Sequence, residues 1–330
     1  MNDTVSERAK AILDGDRREL ARAITLVEST RSDHHRQAEE LIDELLPHTG
    51  GALRIGITGP PGVGKSTFID TFGRLVVEQG HRLAVLAVDP SSSSGRGSIL
   101  GDKTRMASLA GRDDVFIRPS PSGGALGGIG RRTRDAIALC EAAGYDLIMV
   151  ETVGVGQSET TVATVTDLFL LLVSPGGGDD LQGIKRGVME LADLVAVNKA
   201  DGHLAPMAEQ TAGHYRLALH LVRPTRPGTE TPVLTCSSTS GDGIDEVWAT
   251  LGHLHQRLAA DGTLDTLRAD QAVAQLTDEL RSALYARAEA DDEFAERHRN
   301  LERSVIERDL SVSAAARELI DLIFDGDEPS

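Results

Sequence analysis

A chain of 330 residues is long enough for one large α/β domain with helical additions, and its net charge of −17 argues against a surface that attracts DNA, RNA or anionic lipid. Its two cysteines, Cys140 and Cys236, stand far apart with no CxxC or Cys/His cluster, so they read as buried small hydrophobes in a reducing compartment and exclude a disulfide framework or zinc site. Met1 to Lys10 is too polar for a signal peptide and runs such as Leu83–Val88 and Leu168–Val173 are too short to span a bilayer, so a cytoplasmic protein is expected.

Residues 1–52 have a helical pattern. Leu20, Ala23, Ile24 and Val27 share one face, and Leu41, Ile42, Leu45 and Leu46 another. Asp16 followed by Glu19 resembles a capping box. His34 and His35 are adjacent and point apart on a helix, which favours a solvated helix start over a metal pair.

Leu53, Ile55 and Ile57 then alternate as a strand leading into Gly59, Pro60, Pro61, Gly62, Val63, Gly64, Lys65, Ser66 and Thr67, with a helix expected over Phe68–Glu78. The nine residues fit G-x-x-x-x-G-K-[ST] at every fixed position. Glycines let the backbone turn its N–H groups onto phosphate at the positive end of a helix; Lys65 is placed to reach the β/γ-phosphates and Ser66 to ligate Mg²⁺.

From here to about residue 260, strand and helix patterns alternate, with strands expected at Leu83–Asp89, Val115–Arg118, Tyr145–Glu151, Asp167–Ser174, Leu194–Asn198 and Val233–Ser237. Several are unbroken aliphatic runs, as in strands buried on both faces of a mostly parallel sheet. Pro90–Asp102 and Ser120–Gly130 are rich in Gly or Ser and read as functional loops. Asp102 and Glu151 are the carboxylates expected nearest the metal with Ser66, and Asp89 stands close behind. Glu151-Thr152-Val153-Gly154 has the form of a GTPase switch in which the Gly154 amide meets the γ-phosphate. Val155 occupies the place where a water-orienting Gln stands in Ras-like proteins, and Gln157 lies two residues on, so slow unassisted hydrolysis is expected.

Asn198, Lys199, Ala200 and Asp201 follow a buried-type strand in the N-K-x-D order that selects guanine, because the Asp carboxylate accepts from N1 and N2 hydrogens that adenine does not present. The loop at Cys236, Ser237 and Ser238 stands where a backbone N–H meets guanine O6, and Ser237, Ser238 and Thr239 are counted among the nucleotide-binding residues. Ser174–Arg186 combines three glycines with paired acids and bases, Lys185 among them, as a rearrangeable loop. Beyond residue 260 only helical spacing survives: Val273, Leu276, Leu280 and Leu284; Phe294, His298, Leu301 and Val305; Val312, Leu319 and Ile323. The expected organisation is a helical extension over 1–52, an α/β P-loop domain over 53–260 with a mostly parallel central sheet, and a helical arm over 261–330.

Taken together, GPPGVGKST (59–67), VDPSSSSGRGSILGDKTRM (88–106), ETVGVGQSE (151–159), PGGGDDLQGIKRG (175–187) and NKAD (198–201) resemble the MeaB/ArgK GTPases, of the SIMIBI class of P-loop proteins. The resemblance implies switch loops at 90–102 and 151–158, a third at about 175–187, and Asp89, Asp102 and Glu151 as Mg²⁺-site acids. It implies GTP/GDP as ligand, methylmalonyl-CoA mutase as partner in gating adenosylcobalamin delivery, and a homodimer formed by the C-terminal arm. Relatives that insert nickel or cobalt carry Cys/His metal motifs, none of which occurs here, which favours the mutase-associated branch. The older ArgK label, a kinase acting on transport proteins, is the inherited alternative; no acceptor pocket with a base is recognisable in the sequence.

Overall fold

In a computed structural model the described residues are 2–29, 31–89, 106–121, 126–152, 158–176, 186–221 and 230–325. Packing divides them into two compact units, residues 1–271 and 272–330. The division falls within a helix spanning Thr263–Glu289.

The first unit is built on a seven-stranded sheet. Its strands are β1 (Leu53–Thr58), β2 (Leu83–Asp89), β3 (Val115–Pro121), β4 (Leu147–Thr152), β5 (Leu168–Val173), β6 (Leu194–Val197) and β7 (Val233–Thr235). Their order is β3-β2-β4-β1-β5-β6-β7 and every pairing is parallel, so the C-terminal ends all open on one edge. Register sets the edge's inner members side by side, with Ile57 beside Glu151 and Leu170, and Ala87 beside Glu151.

Alternation along the strands feeds two cores. Ala84, Leu86, Val88, Ile148 and Val150 face α1 (Asn2–Leu13), α2 (Arg17–Val27), α3 (Ser32–Leu45), α5 (Leu126–Ala142) and α6 (Ser158–Ala163). Ile55, Ile57, Leu83, Val85, Met149, Leu170 and Ala196 face α4 (Lys65–Glu78) and α9 (Ile244–Ala260). A third cluster joins Leu171, Val173, Val195 and Val197 to α7 (Arg186–Leu191) and α8 (Ala205–His220). Aliphatic burial on both faces explains the unbroken apolar runs of β4, β5 and β6.

The N-terminal helices are part of this unit. Leu20, Ala23, Ile24 and Val27 are buried in the same core as β2 and β4, and the Arg17 guanidinium donates to the Arg112 and Val115 carbonyls at 2.8 and 2.6 Å. Asp16 caps α2, accepting from the Arg18 and Glu19 amides. Glu19 completes no reciprocal box and pairs with Arg8 at 2.5 Å instead. His34 and His35 each contact Ser29.

Several boundaries differ from expectation. Helix α4 begins at Lys65, not Phe68, because the Phe68 amide bonds the Gly64 carbonyl at 2.8 Å, which makes the phosphate motif itself the first helical turn. β7 stops at Thr235 because the chain then turns toward Asn198. The expected loop at 120–130 is strand to Pro121 and helix from Leu126, and Gly130 of α5 faces Thr161 of α6.

α10 (Thr263–Glu289) is rooted in the first unit: Arg268 pairs with the buried Asp167 at 2.7 Å, and Gln271 donates to the Thr166 carbonyl at 2.9 Å. The second unit comprises the rest of α10 with α11 (Asp292–Ile306) and α12 (Val312–Asp325). Phe294, Leu301 and Ala315 are buried within it, whereas Val273, Leu276, Leu280 and Leu284 are exposed by 66, 70, 56 and 47%. Among the described residues no helix is long and apolar enough to cross a membrane.

Candidate guanine-nucleotide site

The β1–α4 turn carries the site. Gly59 adopts φ 153°, and a Cβ there would stand 2.3 Å from the Leu172 carbonyl oxygen, so only glycine lets the loop pass β5 this closely. Gly64, at φ 94°, would drive a Cβ to 2.9 Å from the Asn198 amide nitrogen. The phosphate motif and the N-K-x-D motif therefore touch at Gly64, a contact their separation in sequence conceals.

Lys65 opens α4 with its side chain folded back, its Nζ donating to the Gly59 and Pro60 carbonyls at 2.7 and 3.4 Å. Burial holds its pKa below the usual lysine value, and the charges of Glu151 and Glu159 oppose that shift. Ser66 donates from Oγ to Glu151 Oε1 at 3.4 Å, joining the first turn of α4 to the end of β4. Thr152 Oγ1 donates to Thr58 Oγ1 at 2.9 Å, tying the ends of β4 and β1 beneath the loop. The switch motif includes Thr152 but does not announce Thr58; only the parallel register of the two strands brings the pair together.

Asn198 is 1% exposed and joins three segments. Its Nδ2 donates to the Val63 carbonyl at 2.9 Å, while its Oδ1 accepts from the Ser238 amide at 3.0 Å and the Ser238 hydroxyl at 2.8 Å. Lys199, at φ 62°, extends across the loop and donates to the Gly62 carbonyl at 2.6 Å. Asp201 Oδ1 accepts from Ser237 Oγ at 2.9 Å, and Ser237 Oγ accepts from the Thr239 and Ser240 amides at 3.3 and 3.2 Å. Thr71, on the second turn of α4, donates to the Ser238 carbonyl at 2.7 Å; no sequence motif marks it.

The structure thus brings together Gly59–Thr67, Glu151, Asn198, Lys199, Asp201 and Ser237–Thr239 at one edge of the sheet. The backbone of Asp89 ends β2 on the same edge, in register with Pro121. Asp102, Gly154, Gln157 and Lys185 lie outside the described residues. Among the described residues no group of three or more His, Cys, Asp or Glu is placed to hold a metal. The hydroxyl of Ser66 and the carboxylate of Glu151 are hard oxygen donors of the kind Mg²⁺ takes in small number alongside phosphate and water, so the residues present fit that ion.

Comparison with known proteins agrees with this geometry. The family model for the methylmalonyl Co-A mutase-associated GTPase MeaB matches residues 20–293. A putative GTPase of Caulobacter vibrioides is 52% identical over 309 residues, covering 94% of each chain. The methylmalonic aciduria type A homolog, mitochondrial, of Mus musculus is 44% identical over 92% of this chain and 76% of its own. A crystal structure of an LAO/AO transport system kinase superposes with a TM-score of 0.78 at 37% identity, covering 98% of both chains. This chain belongs to the MeaB family and is a P-loop GTPase.

Proposed function

We propose that the protein is a Mg²⁺-dependent GTP hydrolase acting as a G-protein chaperone for adenosylcobalamin-dependent methylmalonyl-CoA mutase, in gating cofactor delivery, protection and reactivation. The observation that carries the nucleotide reading is the Asn198 junction, which locks the phosphate loop, the N-K-x-D segment and the Ser237–Thr239 loop into one body. The partner rests on the description of the matched family and on the name of the mouse relative.

Lys65 donates to neutral carbonyls, and a charged phosphate oxygen is the stronger acceptor, so the amine is poised to exchange one for the other. The N–H groups of the Gly59–Thr67 loop, to which Pro60 and Pro61 contribute none, hold the rest of the phosphate chain. Ser66, Asp89, Asp102 and Glu151 would hold Mg²⁺, which neutralises charge between the β- and γ-phosphates when bound. Asp201 accepts from the base, its carboxylate oriented by Ser237. Gly154, Gln157 and Lys185 are assigned to the γ-phosphate, the attacking water and a partner-responsive charge. Burial of two free cysteines suits the cytoplasm. The exposed stripe Val273, Leu276, Leu280 and Leu284 is assigned to a homodimer.

Incubating the protein with γ-labelled GTP, with and without the mutase and with candidate acceptors, tests the reaction. Free labelled phosphate, released faster with the mutase, supports the proposal. Label on an acceptor would establish the alternative, a phosphoryl-transferring kinase, which the name of the 37%-identical structural relative favours.

A further inference from the structure

Thr71 lies on α4, whose first turn carries Lys65 and Ser66. A threonine hydroxyl has one proton to give, and inside a helix it ordinarily goes to the carbonyl one turn back. Here it goes across to the Ser238 carbonyl oxygen, at 2.7 Å. That oxygen belongs to the peptide unit whose other end is the Thr239 N–H. Because a trans peptide is planar, with C=O and N–H opposed, fixing Ser238 O against α4 turns the Thr239 N–H away from the helix.

The neighbouring amides are committed. Cys236 donates to the Val197 carbonyl and Ser237 to the Asp242 carbonyl, both at 2.9 Å, while Ser238 donates to Asn198 Oδ1 at 3.0 Å. Thr239 and Ser240 share a single acceptor, Ser237 Oγ, at 3.3 and 3.2 Å. The Thr239 amide thus makes the longest of these bonds, beside the oxygen that donates to Asp201.

We infer that Thr71 is a positioning residue for base recognition: its hydroxyl holds the 238–239 peptide so that the Thr239 N–H is aimed at the guanine carbonyl oxygen. This rests on the guanine pocket proposed above. It also explains how one rigid helix sets phosphate and base contacts in fixed register, with Lys65 and Ser66 at its start and Thr71 further along.

The test compares Thr71→Val, which keeps the shape and removes the proton, with Thr71→Ser, which keeps the proton. Affinities are measured for GDP and for 2-aminopurine riboside diphosphate, which lacks the base oxygen. Thr71→Val is expected to bind GDP about five- to tenfold more weakly, with less than about twofold change for the analogue, and Thr71→Ser to restore GDP binding. Equal losses for both nucleotides would reduce Thr71 to a structural brace, and unchanged GDP affinity would remove its role altogether. Should the wild-type protein itself bind GDP and the analogue equally, the guanine pocket fails and the inference falls with it. Wild-type discrimination with an indifferent Thr71→Val variant overturns the inference alone.

Discussion

Replacing Asn198 by Ala tests whether this side chain holds the site together in the absence of nucleotide. The side chain is 1% exposed and makes four hydrogen bonds, to the Val63 carbonyl, the Ser238 amide, the Ser238 hydroxyl and, at 4.0 Å, the Cys236 thiol. Its loss strands two fixed backbone groups in a dry setting, whereas the Ser238 hydroxyl can turn on its own bond. At about 1–3 kcal/mol for each of the two stranded groups, Asn198→Ala should destabilise the nucleotide-free protein by about 2–6 kcal/mol. That is a large fraction of the roughly 5–15 kcal/mol that keeps a domain folded. Asp201→Asn provides the contrast. Asp201 is half-buried, its one contact within the loop cluster is to Ser237 Oγ, and the amide keeps its shape, so we predict less than about 1 kcal/mol. Urea unfolding of both variants without nucleotide, followed by circular dichroism, reads the difference in midpoints. Coincident midpoints for Asn198→Ala and wild type would refute the junction as the site's mechanical centre.

Further predictions follow from the metal edge and the helical unit. Glu151→Ala removes the carboxylate that meets Ser66 and should abolish Mg²⁺-dependent hydrolysis while GDP affinity changes by less than about threefold, because Lys65 and the loop amides still hold phosphate; wild-type turnover would show the carboxylate misassigned. Leu276→Glu with Leu280→Glu places charge on side chains already 70 and 56% exposed, so thermal stability of the single chain should change little while light scattering reports a monomer. A dimer that persists would move the interface elsewhere.

Much of this architecture is legible in the sequence because its signals are local. Unbroken aliphatic runs mark the strands, and Gly59–Thr67 marks the β1–α4 turn with the helix that follows. The helix starts three residues ahead of expectation because Lys65, Ser66 and Thr67 read as ligand groups when they are also the first turn. What the sequence conceals is contact across distance. Asn198 reads as a base-recognising residue, yet its partners in the fold are Val63 and Ser238, and nothing in the spacing of N-K-A-D announces them. The same holds for Thr58 with Thr152 and for Thr71 with Ser238, pairs created by strand register and helix packing. The expectation of a base-contacting amide within Cys236–Ser238 shifts by one residue: with those three amides committed elsewhere, Thr239 is the better-placed donor. The stripe at Val273, Leu276, Leu280 and Leu284 is plain in the periodicity, and its exposure in one chain is visible only once the helix is built.

Selection of guanine is assigned to the Asp201 carboxylate, and an exchange of base preference is its decisive test. Guanine offers hydrogens at N1 and N2 to the carboxylate, whereas xanthine carries a carbonyl in place of the N2 amine and calls for a donor opposite. Nucleotide affinity of Asp201→Asn should therefore fall for GTP by about 2–4 kcal/mol and rise for XTP, with the phosphate contacts of Lys65 unchanged. A variant that keeps the wild-type preference for GTP over XTP would remove Asp201 from base recognition.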